Sequence, residues 1–129
     1  MPFVSQNVLD NGLNHIKNNC DKLALVSSYT NGESYATVAG KILAEVSMTS
    51  SDFTLGSSGN NRTLTSASGK QDASANASGG DVNSYLVFLN TTSSEVLWAT
   101  DETSGQAVVA GNPVSFPSLV YTSMQPTAV

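Results

Sequence analysis

Residues 81–101 read Asp-Val-Asn-Ser-Tyr-Leu-Val-Phe-Leu-Asn, then Thr-Thr-Ser-Ser, then Glu-Val-Leu-Trp-Ala-Thr-Asp, and the fold turns on how they are read. Residues 85–89 are apolar at every position, of strand length, rich in aromatic and branched side chains, and bounded by polar turn formers. A strand that is apolar on both sides must be covered on both faces, so it belongs in the middle of a sandwich or barrel. Residues 96–99 form a second limb that holds the single tryptophan, Trp98. The short polar link between the limbs predicts an antiparallel hairpin.

Outward from this hairpin, residues 6–19 place Val8, Leu9, Leu13 and Ile16 at roughly helical spacing. They predict a short helix that lays Leu9, Leu13 and Ile16 on the sheet or on a neighbour and ends at Cys20-Asp21. Lys-Leu-Ala-Leu-Val at 22–26 reads as the first strand, and Asn31-Gly32 as a turn. Residues 34–40 suit either a helical turn or an extended arm. Residues 41–48 alternate, with Ile42, Ala44, Val46 and Met48 on one side and Lys41, Leu43, Glu45 and Ser47 on the other. Residues 52–55 read as a short strand and 56–61 as a turn. The small and polar residues at 62–67 and 71–77 predict an edge hairpin around Ser68-Gly69-Lys70, with Leu64 as its one sizeable anchor. Residues 107–110 read as a short strand and 114–124 as the last one. Pro117 cannot donate to a ladder, so a bulge or a change of sheet there reconciles the phase of Val114 and Phe116 with that of Leu119 and Tyr121.

Turn signals between about eight short strands predict an all-β fold, an antiparallel β-sandwich or barrel with a short N-terminal helix or arm. The expected organisation is an arm and helix over residues 1–21, a β domain over 22–124 and a loose tail over 125–129. With 129 residues, 40% of them hydrophobic and 12% charged, the chain is expected to be one domain whose surface is hydrated by hydroxyls and amides. A net charge of -5 with five basic residues argues against nucleic acid or an anionic membrane as a partner. No apolar segment approaches the ~20 residues needed to span a bilayer. The opening residues lack the basic and apolar regions of a secretory leader. A lone Cys20 cannot close an internal disulfide and fits a reducing cytoplasm.

Candidate chemistry is sparse. His15 is the only histidine, and Asp10 and Cys20 each stand five residues from it, a spacing that does not bring ligands to one helix face. His15 is therefore read as a surface or interface residue and Cys20 as a small buried hydrophobe. The carboxylates are scattered, and Gly-Ser-Ser-Gly-Asn-Asn at 56–61 lacks the Gly-Lys ending of a phosphate loop. Tyr85, Trp98 and Tyr121 are read as core aromatics rather than a sugar platform. The expectation is no catalytic residue, no metal, no cofactor and no enzymatic activity.

The opening Val8-Leu9-Asp10-Asn11-Gly12-Leu13-Asn14, followed by Lys22-Leu23-Ala24-Leu25-Val26-Ser27-Ser28, resembles the start of small tailed-bacteriophage virion proteins encoded among the head genes. The later half is similar too, with Trp98-Ala99-Thr100 and Val109-Ala110-Gly111-Asn112-Pro113-Val114-Ser115-Phe116. The resemblance implies a capsid decoration or cement protein, made in the host cytoplasm and carried on the capsid surface. Its implied partners are the major capsid protein and further copies of itself, as a trimer or dimer. Residues 2–16, with Phe3, Val4, Leu9, Leu13 and Ile16, are then the docking or oligomer-forming arm. The other function class is a receptor- or carbohydrate-binding module of a tail fibre or adhesin, contacting through residues 57–61 and 91–94, with Tyr29 and Tyr35 as nearby aromatics.

Overall fold

A computed structural model describes residues 3–80, 84–102 and 107–127. The expectations for Pro2, for residues 81–83, for 103–106 and for the last two residues of the tail fall outside these. Helix α1 (Gln6–Asn19) starts at Ser5, whose extended backbone leaves its hydroxyl free to accept from the Val8 N–H. Val4 and Leu9 hold the two flanking positions where apolar residues staple a helix entry. Leu9, Leu13 and Ile16 are the buried stripe of α1, as their spacing predicts.

Strand β1 (Lys22–Val26) follows, then α2 (Tyr35–Ala39), β2 (Ile42–Ser47), a 3-10 turn at Ser50–Asp52, β3 (Phe53–Ser58) and β4 (Asn61–Ser66). The chain continues through β5 (Lys70–Asp72), β6 (Tyr85–Asn90), β7 (Glu95–Asp101), β8 (Val114–Phe116) and β9 (Val120–Ser123). Residues 34–40 resolve as a helical turn because Ser34 caps it, accepting from the Thr37 N–H. All pairing is antiparallel. The described strands make a four-stranded sheet in the order β2-β1-β6-β7, a three-stranded sheet β3-β4-β9 and a ribbon β5-β8. The all-β, sandwich-like expectation holds.

The central strands explain their own composition. Leu23 and Leu25 of β1 and Leu86 and Phe88 of β6 face the main core, between the sheets and under α1. Ala24, Val26, Val87 and Leu89 point the other way, into a second cluster covered by Val38 of α2 and by Tyr29 and Tyr35. The segment between β1 and β2 is thus the lid that lets β6 be apolar throughout. An aromatic column ties the layers together. Phe88 stacks on Trp98 with centroids 4.4 Å apart and planes 9° from parallel. Phe53 packs on the same ring of Phe88 at 5.8 Å, and Tyr121 meets Trp98 edge-on at 5.5 Å.

Both outer strands of the larger sheet carry a bulge, which period-two reading does not reveal. In β2 the pairing steps from Leu25↔Ala44 to Val26↔Ile42, leaving Leu43 as the extra residue. Leu43 is therefore buried beside Ala44 in the main core rather than on the opposite side with Lys41, Glu45 and Ser47. In β7 the step from Phe88↔Trp98 to Leu89↔Val96 leaves Leu97 extra, so Leu97 and Trp98 both lean on the main core. Gly79, at φ 153°, runs past the first bulge; a Cβ there would stand 3.2 Å from Leu43 Cδ2.

Further expectations are corrected. β4 is no edge strand; it is the middle strand of its sheet, pairing with β3 through a tight turn at Gly59 and with β9 on its other side. The strand at 71–77 shortens to Lys70–Asp72 and pairs with β8 instead. The strand at 107–110 reduces to one bridge, Gly79↔Val108. Pro117 does mark a change of sheet: β8 belongs to the ribbon and β9 to the three-stranded sheet. Gln125, placed by sequence in the loose tail, is held: its side chain exchanges hydrogen bonds of 2.9 Å with the N–H and C=O of Val4.

Phe88→Ala removes the ring on which the aromatic column rests and is expected to cost about 3–5 kcal/mol of stability in urea unfolding. Val8→Ala, on the exposed side of α1, is expected to change it by less than about 0.5 kcal/mol.

Candidate functional site

Most of the charged residues among those described are committed to holding the fold together. Lys17 Nζ donates to the carbonyls of Ser50, at 2.7 Å, and Phe53, at 3.2 Å, which fastens α1 to the start of β3. Lys22 pairs with Glu45 at 3.1 Å, Lys41 with Glu33 at 2.8 Å, Arg62 with Asp10 at 2.8 Å and Lys70 with Asp52 at 3.2 Å. Each of the five lysine and arginine side chains is thus engaged within the chain, and the outward charge is acidic. Asp21 accepts from the N–H and the hydroxyl of Thr91, the latter at 2.7 Å, and so anchors the β6–β7 turn. Asp72 accepts from the Glu45 N–H at 2.9 Å and thereby covers part of the β2 edge.

The residues that neighbour His15 in sequence disperse. His15 Nε2 lies 3.2 Å from Glu95 Oε1, with side chains 55% and 46% exposed. The Asn19 amide nitrogen stands 3.4 Å from His15 Nδ1, an arrangement in which neutral His15 accepts at Nδ1 and donates from Nε2 to Glu95. Asp10 has gone to Arg62, and Cys20 is buried with its thiol toward the Lys22 carbonyl. Burial pushes the Cys20 thiol up from 9.0 to about 11, so it is a poor thiolate. Among the described residues no group of three His, Cys, Asp or Glu is placed to hold a metal ion. The Asp101 carboxylate beside the Tyr85 hydroxyl raises that phenol above its ordinary value.

Among the described residues, two hollows and an apolar end stand out as surfaces. A groove of about 320 Å³ runs between α1, β7 and β9, floored by Leu13 and Ile16, walled by Leu97 and Tyr121, with His15 at its rim. A second, open hollow of about 410 Å³ is lined by polar groups of Asn18, Asn19, Asp21, Ser50, Asn90 and Thr92. At the amino-terminal end Phe3 is 73% exposed, and Val8 and Met124 are exposed as well. Phe3 and Met124 each adjoin a residue of the Val4–Gln125 clamp, so their main chain is fixed although their side chains are bare.

The five residues assigned to a docking arm are therefore divided. Leu9, Leu13 and Ile16 are turned onto the protein's own sheets, whereas Phe3 is open to solvent and Val4 is half-buried. Tyr29 and Tyr35 pack on the second cluster, Tyr85 stands against Tyr29 at 5.6 Å, and Trp98 belongs to the core column. Leu97, Tyr121, Val8 and Met124 were not singled out as surface-forming; the bulge that turns Leu97 has no periodic signature. Comparison with protein-family models, with curated proteins and with solved structures finds no match for this chain.

Two measurements test these assignments. A thiol whose pKa rises from 9.0 to about 11 has a thiolate fraction lowered about 100-fold at neutral pH. Alkylation of folded protein by iodoacetamide is expected to be slower than in urea by at least that factor. Asp52 behaves in the opposite sense: burial opposes its ionisation, but the Thr49 N–H and Lys70 outweigh it and hold the carboxyl below its ordinary 3.8. A depressed folded value contributes stability above pH 3.8 that is lost as pH falls through the folded value. Asp52→Asn is expected to lower the Tm at neutral pH and to flatten its decline in acid.

Proposed function

We propose that this chain is an accessory structural protein of a bacteriophage particle, a decoration or cement subunit that docks on the outside of the assembled head. The observation that carries the reading is the bare Phe3, 73% exposed on a segment clamped in place by Gln125. An apolar anchor fixed before binding loses little conformational freedom when a pocket receives it. Val8 and Met124 extend the anchor. The resemblance to head-gene virion proteins and the commitment of the basic side chains to internal bonds support the same reading. The partner is the major capsid protein, met through shape and apolar contact. Such a subunit stabilises the shell by mass action, because it binds the assembled lattice better than loose subunits.

A second reading, a receptor- or carbohydrate-binding module, draws on the hydroxyl- and amide-lined hollow of about 410 Å³ beside Asn90 and Asp21. Binding of gold-labelled protein to particles separates the two. Decoration predicts regular label over the shell, and the other reading predicts label at the tail or on host cells. The double variant Phe3→Ser, Val8→Ser is expected to lower head binding about tenfold or more while leaving the Tm unchanged. Wild-type affinity in that variant, or a bare shell, would remove the cement assignment.

A further inference from the structure

We infer that β9 is a self-pairing edge, through which two copies of the chain join their three-stranded sheets into one continuous six-stranded sheet. Among the described residues β9 has a hydrogen-bonded neighbour on one side only, β4. Its phase is fixed by the Ser66 N–H, which donates to the Leu119 carbonyl at 2.8 Å. Counting along the ladder from there, Tyr121 and Ser123 turn their main-chain groups toward β4, and Val120 and Thr122 turn theirs away. No hydrogen bond outside that ladder reaches Val120 or Thr122 among the described residues.

The other outer strands of the two larger sheets are protected by means that β9 lacks. β2 is bulged at Leu43, whose carbonyl accepts from Asn76 and Ala77, and its Glu45 N–H is taken by Asp72. β7 is bulged at Leu97 and bears Glu95 and Asp101 at its ends. Lys17 sits on the first carbonyl of β3. β9 has no bulge, no proline and no charge, and Val120 is 57% exposed. An unbulged, uncharged edge with free main-chain groups invites pairing.

Charge selects a second copy as the occupant. In a two-fold contact each patch meets itself, so any net charge on the patch repels its own image. The chain carries -5 overall and its basic side chains are engaged, so most faces are self-repelling. The sequence has no charged residue after Glu102, which makes β9 and its flanks a surface that can face its own copy without that cost. The register that uses the free groups pairs Val120 with Thr122 of the second copy and sets the two-fold axis at Tyr121. It forms four main-chain hydrogen bonds, two at each Val120–Thr122 pair.

Sedimentation equilibrium of the full chain is expected to show a monomer–dimer equilibrium with a micromolar Kd, as befits a small interface. Val120→Lys is expected to weaken it at least about tenfold by bringing two lysines close to the axis. The far-ultraviolet dichroism of that variant reports whether its fold is intact. Hydrogen exchange tests the same contact without mutation: the Val120 and Thr122 amides should exchange freely in dilute protein and become protected as the dimer fills. A chain that stays monomeric at high concentration, a dimer indifferent to Val120→Lys, or Val120 and Thr122 amides unprotected in the dimer would each overturn the inference. Head binding plays no part in these readouts, so they stand or fall apart from the decoration reading.

Discussion

The need to cover β6 on both faces governs the architecture. Leu86 and Phe88 take one side and Val87 and Leu89 the other, and none of the four retains appreciable contact with water. A second sheet and α1 must therefore lie on one face, and the Tyr29, Tyr35 and Val38 lid on the other. Removing either cover would expose side chains whose burial stabilises the fold by roughly 1.5–3 kcal/mol each. Phe88 is where the demands meet, flat against Trp98 from its own sheet and tilted by 55° against Phe53 from the facing one.

Polar groups serve as fasteners around this centre. Asp21 ties the end of α1 to the β6–β7 turn, Asp72 joins the ribbon to β2, and Arg62 joins β4 to α1 through Asp10. Ser66, buried in β4, is satisfied twice over, since the Leu119 N–H donates to its hydroxyl and the Ser118 hydroxyl donates to its carbonyl. These bonds sit where elements meet rather than along them, and they fix how the layers are offset. A chain with few charges has used most of them as joints, and what it leaves on the outside is hydroxyl, amide, a net excess of carboxylate and a few bare apolar side chains.

The legible parts of the fold were those with large side chains at a regular period. The stripe Leu9, Leu13, Ile16 marked α1, the uninterrupted 85–89 run marked the central strand, and Pro117 marked the change of sheet. Hidden parts had either small residues or an irregular step. Thr63 and Thr65 in β4 say nothing of their partners, because a polar strand specifies its register weakly, and so a middle strand read as an edge. The extra residues Leu43 and Leu97 break the alternation on which the reading of a strand depends. Of the candidate surface, Phe3 was visible as an apolar residue outside any element. Tyr121 was not, because the same aromatic residue that half-packs on Trp98 also shows 40% of its surface.

The bond pair between Gln125 and Val4 has a topological consequence. By joining points 121 positions apart in the chain, it brings the polypeptide almost full circle. Anything attached ahead of Val4 or beyond Gln125 leaves from the same corner of the molecule, so a partner gripping one end has the other within reach. A short covalent bridge across that corner would turn the backbone into a loop with little disturbance of the sheets, and new ends could then be opened at the exposed Gly59 turn.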